Sequence, residues 1–90
     1  GYYEPDEFGI RTENVLLIKK LPKPKGKKIQ MLAFETLTLV PIDTKLVNKR
    51  MLNKKEKNWL NEYHKLVYQK IAPYLPSDTR AWLKKISAPI

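Results

Sequence analysis

The sequence predicts a small α+β fold, with strands in its first half and helices in its second. Three observations carry that expectation. Short runs rich in Val, Leu and Ile lie before residue 47, bounded by residues that break regular structure. Proline and glycine cluster between those runs, as they do in loops. Near residue 53 the spacing of apolar residues changes to the three-and-four rhythm of a helix.

The elements follow in chain order. Residues 1–14 carry Glu4, Asp6, Glu7 and Glu13 against Arg11, an acidic opening to a basic chain. Asn14–Ile18 is a β-branched and Leu-rich run that reads as a buried strand. Lys19 to Lys28 holds six lysines with Pro22, Pro24 and Gly26, an exposed loop that no regular element survives. Ile29–Phe34 reads as a second strand and Leu37–Val40 as a third that ends at Pro41. An antiparallel hairpin across the lysine loop is the expected pairing. Asn53 followed by Glu56 has the spacing of a capping box. From there Trp59, Leu60, Tyr63, Leu66, Val67 and Ile71 line one face of a helix over about 54–72, which Pro73 stops. A second helix over about 78–86, capped by Ser77 or Asp78, carries Ala81, Trp82, Leu83 and Ile86.

Composition excludes much chemistry. A chain of 90 residues buries about 60–65% of its unfolded surface, so a core of its own is marginal. No apolar run approaches the ~18 residues of a membrane span. The absence of cysteine removes disulfides, thiolate zinc sites and cysteine nucleophiles, and fits a reducing, cytoplasmic setting. One histidine, His64, cannot build a histidine metal site, and with few serines there is little room for a Ser-His-Asp triad. Gly1, Gly9 and Gly26 are too scattered for a phosphate loop. The net charge of +9 raises nucleic-acid binding, but the cations are mostly lysine. Groove readers lean on arginine, and no aromatic residues alternate with these lysines as a stacking platform requires. Solvated surface explains the charge, and nucleic acid is not an expected partner.

Two residues stand out. Glu13 lies between Gly9–Thr12 and the apolar run Val15–Ile18, and Glu35 between Leu32–Phe34 and Thr36–Pro41. Each is a lone acid in apolar, strand-forming sequence. By pattern alone both face solvent from a half-buried strand; a buried carboxylate would have to be paired or bind a metal.

The wording around them is more specific. Gly1-Tyr2-Tyr3-Glu4, Phe8-Gly9-Ile10-Arg11-Thr12-Glu13-Asn14 and Phe34-Glu35-Thr36-Leu37-Thr38-Leu39-Val40-Pro41-Ile42 strongly resemble the end of the catalytic domain of Xaa-Pro aminopeptidases (aminopeptidase P). These are dinuclear metallopeptidases of the pita-bread family. Trp59-Leu60-Asn61-Glu62-Tyr63-His64 resembles the helical C-terminal extension of their long, three-domain cytosolic form. The resemblance covers almost the whole chain and is weakest in the lysine loop and at residues 73–81.

The resemblance implies a fragment of a pita-bread domain: residues 1–47 end the catalytic domain and residues 48–90 form the extension. It implies two divalent ions, of manganese by family habit, on five protein ligands with a water between them. Glu13 matches the fourth ligand and the general base, and Glu35 matches the fifth, bridging ligand. Arg11 falls where a residue could orient a ligand; an ordinary surface arginine is the equal alternative. The other three ligands belong upstream, so the resemblance implies that the 90 residues alone are inactive. The implied partners are the rest of the polypeptide, a peptide substrate with proline in second position, and a second copy in a homodimer. The alternative is a standalone basic binding module, for nucleic acid or an acidic partner, on a catalytically empty peptidase-like scaffold.

Overall fold

The computed structural model describes residues 1–26 and 28–90, and they form two compact units, Gly1–Thr38 and Leu39–Ile90. Lys27, the fifth lysine of the loop, lies outside the described residues.

The first unit holds two antiparallel pairs of strands. Strand β1 (Tyr2–Glu4) pairs with β2 (Phe8–Ile10), Tyr3 opposite Gly9. The hairpin between them is absent from the sequence reading, though its signal is local. Pro5 sets φ for the first central position of the turn, and Asp6 takes the left-handed conformation (φ 61°) that Asp tolerates. The Glu7 N–H closes the turn on the Glu4 carbonyl at 3.1 Å.

Strand β3 (Leu16–Lys20) pairs with β4 (Leu32–Thr36), Leu17 opposite Glu35 and Ile18 opposite Phe34. The hairpin across the lysine loop is therefore present, and Gly26 takes a positive φ of 80° within that loop. Lys19 and Lys20, expected in the loop, are the end of β3, and the strand expected from Ile29 begins at Leu32. Two further expectations need correction. The stretch Leu37–Val40 is not a strand. The Leu37 N–H still donates to the Val15 carbonyl (2.8 Å), but the Val15 N–H donates to Thr38 Oγ1 (2.8 Å) instead of a main-chain carbonyl, and the ladder stops there. Nor is β3 buried: Leu16, Leu17 and Ile18 are all exposed within this chain, as is Phe34. The composition is that of a strand covered on both faces, but 38 residues supply no covering layer.

The second unit has the core. Helix α1 (Lys54–Ile71) starts with the expected capping box: Asn53 Oδ1 accepts from the Glu56 N–H (2.8 Å) and Glu56 Oε2 accepts from the Asn53 N–H (2.9 Å). Leu60, Tyr63 and Val67 are buried with Ala72 and Leu83, and Leu39, Ile42, Leu52, Leu75, Ile86 and Ile90 pack around them. Trp59 remains more than half exposed at the edge of this stripe, its indole stacked on Tyr63 with centroids 5.4 Å apart. Pro73 lies in the short 3₁₀ turn Ala72–Tyr74 that follows α1. Helix α2 (Ser77–Ile86) starts one residue earlier than expected. Pro76 is its cap and gives no side-chain capping bond, while Asp78 Oδ1, inside the first turn, accepts the Thr79 N–H at 2.8 Å. Arg80 ties the connection together, donating to the carbonyls of Ala72 (3.0 Å) and Leu75 (3.1 Å). Asn61 grips the main chain of Ile90, accepting from its N–H at 2.9 Å and donating to its carbonyl at 3.4 Å.

Candidate metal centre

Glu35 is the better anchored of the two carboxylates. It is the fourth of five residues in the β4 ladder, opposite Leu17, with paired residues Phe34 and Thr36 before and after it. Antiparallel pairing places Leu17 and Lys19 on the same face as Ala33 and Glu35. Lys19 Nζ meets Glu35 Oε2 at 2.8 Å across that diagonal. Both side chains are about half exposed, so the pair contributes at most ~1 kcal/mol. Its significance is chemical: the Glu35 carboxylate draws a cation to itself in an accessible position.

Glu13 lies in the irregular stretch 11–15 that leads into β3, two residues before the first paired residue, Val15. Its Oε1 is 4.0 Å from Arg11 Nη1, and both side chains are open to solvent. The Arg11 guanidinium carbon lies 5.6 Å from the centroid of the Tyr3 ring, within cation–π range. That ring covers Gly9 across the β1–β2 pair. A Cβ on Gly9 would come within 2.8 Å of Tyr3 Cδ1, so the ring can lie there only because residue 9 has no side chain. Gly9, Tyr3, Arg11 and Glu13 thus form a line of support, each steadied by the one before.

The sequence singled out Glu13, Glu35 and Arg11, and the structure brings Arg11 to Glu13. It missed Lys19 and Tyr3. Lys19 would have been found from strand parity had the register been known, but a loop of this length does not set a register. Among the described residues no three of His, Cys, Asp and Glu form a cluster able to hold a metal. Two carboxylates are hard oxygen donors that fit part of a site for divalent ions, but not a whole one.

His64 has a structural role, as its helical context implied. It is fully buried, and Nε2 accepts the Ile42 N–H at 3.0 Å. Burial lowers its pKa below the ordinary histidine value.

Comparison with known proteins assigns this arrangement to a family. Residues 30–90 match the family described as "C-terminal region of peptidase_M24". The chain belongs to that family. It is 47% identical, over its whole length, to a probable Xaa-Pro aminopeptidase P of Coprinopsis cinerea and 42% identical to that of Laccaria bicolor. It covers 15% and 14% of those proteins, so it spans about a seventh of the length of the relatives it matches. A crystal structure of X-prolyl aminopeptidase from Caenorhabditis elegans, described as a cytosolic enzyme with a di-nuclear active site, superposes with a TM-score of 0.79. That match has 34% identity and covers 99% of this chain and 15% of the other. It bears out the expected fold class, an α+β fragment of a pita-bread peptidase.

Proposed function

We propose that the chain is the C-terminal part of a dinuclear metal-dependent Xaa-Pro aminopeptidase, which hydrolyses the peptide bond between an N-terminal residue and a following proline. The observation that carries this reading is the structural likeness, over nearly the whole chain, to an X-prolyl aminopeptidase described as di-nuclear. Residues 1–47 close the catalytic domain and residues 48–90 are its helical extension. The protein works in the cytoplasm as a homodimer.

In this reading Glu35 and Glu13 supply two of the five ligands. Their hard oxygen donors suit manganese. When bound, the ion pair lowers the pKa of water and polarises the carbonyl of the scissile bond. The chain's own residues do the rest. Glu35, fixed in the β3–β4 ladder, would offer its carboxylate oxygens to the ions, with Lys19 as the neighbouring counter-charge. Glu13 takes a proton from the attacking water on a carboxylate oxygen and passes it to the departing proline nitrogen. Arg11, resting on Tyr3, stands beside the Glu13 carboxylate and orients it. The three remaining ligands come from the rest of the polypeptide, so the 90 residues alone do not turn over substrate.

The test is turnover of a proline-second peptide by the full-length protein. Glu13→Gln keeps size and polarity but cannot take the proton, and kcat should fall by about 10²–10⁴-fold. Retained activity in this variant would contradict the reading.

A further inference from the structure

We propose that His64 is an acid-sensitive latch that holds the Val40–Ile42 segment on α1 and lets go of Ile42 when the imidazole is protonated. The segment is held at two points. Tyr63 Oη donates to the Val40 carbonyl at 2.7 Å and receives the Val40 N–H at 3.4 Å. Two residues further along, His64 Nε2 accepts the Ile42 N–H at 3.0 Å. Only a nitrogen without a proton can accept that bond, so the neutral ring carries its hydrogen on Nδ1. Nδ1 is buried and has no hydrogen-bond partner among the described residues.

Adding a proton puts N–H against N–H at Ile42 and places a full charge on a ring with no exposed surface. The Tyr63 bonds to Val40 do not involve the imidazole. Acid therefore unlatches Ile42 while Val40 stays held. The titratable groups sharing the hollow beside His64 are Glu62, Lys65 and Tyr68 of α1 and Lys84 of α2. The held segment brings Asp43, whose Oδ1 is taken by the Lys45 N–H at 3.0 Å. None of these hydrogen-bonds to the ring.

The sign follows from burial. With the folded-state value lowered, the unfolded or unlatched chain binds the proton first. The latch is at full strength above the ordinary histidine value of about 6.5 and weakens as pH falls below it. Hydrogen exchange of the full-length protein, followed by mass spectrometry on the peptide containing Ile42 and corrected for intrinsic rates, tests this. Protection should fall about tenfold between about pH 7.5 and about pH 5.5. His64→Gln, whose side-chain oxygen can take the same N–H without titrating, should abolish the step. Tyr63→Phe should lower protection at both pH values and leave the step in place. Equal protection at both pH values in the wild type overturns the latch. So does an undiminished step in His64→Gln, or its disappearance in Tyr63→Phe.

Discussion

Glu13 and Arg11 show how little of a site a single residue type conveys. A glutamate before an apolar run reads as solvent-facing, and Glu13 is indeed exposed in this chain. What distinguishes it is its support, and that support starts from a glycine. Arg11→Ala removes the cation beside Glu13 and leaves Tyr3 in place. Activity of the full-length protein should drop about 10–100-fold, the usual range for a residue that orients a ligand. Gly9→Ala acts through the same line, because its methyl group displaces the Tyr3 ring. It should lower activity in the same direction, and steady-state kinetics on both variants checks the link. Tyr63→Phe belongs to the second unit. It strips Val40 of its phenol partner and should destabilise the protein by about 1–3 kcal/mol in denaturant unfolding. The role of His64 was legible from its place in the helix; its partner was not, because Ile42 lies 22 residues away and no local pattern encodes that contact.

At the scale of elements, the helices were the legible part. Asn53 and Glu56 specify the start of α1 through bonds within four residues, and Pro73 specifies its end, so sequence and structure agree within a residue. Asn53→Ala should cost about 1 kcal/mol, read as a lower denaturation midpoint, and a change within error would show that tertiary packing alone sets this helix end. The strands were less legible. Leu37–Val40 has strand-forming residues, yet one hydroxyl, that of Thr38, takes the N–H that would have carried the ladder on. A side chain that intercepts a main-chain donor leaves no trace in hydrophobic pattern. The β1–β2 hairpin was missed for the opposite reason. Its strands are only three residues long and its signal is the Pro5-Asp6 turn, not any alternation.

At the scale of the molecule, the two units differ in what holds them. Among the described residues the buried apolar ones all belong to Leu39–Ile90, while both faces of the β3–β4 pair carry exposed side chains, Leu16, Ile18 and Phe34 on one and Leu17 on the other. Strands of this composition are normally covered on both sides, and the chain spans only about a seventh of its relatives. Residues 1–90 made alone should therefore self-associate through these strands. Ile18→Lys with Phe34→Lys should reduce that association in sedimentation velocity, and a monomeric wild-type fragment would show that the surface is tolerated. The site was legible as two acids and an arginine only through family wording. Composition and periodicity would not mark a metal ligand whose companion ligands lay elsewhere in a polypeptide.

The central claim is that this chain brings metal ligands to a site shared with the rest of its protein. It is tested most directly by counting metal ions in the full-length protein, purified with manganese, beside its Glu35→Ala variant. Two ions per chain are expected in the wild type and fewer than two in a folded Glu35→Ala variant. Two tightly held ions in both proteins would contradict it.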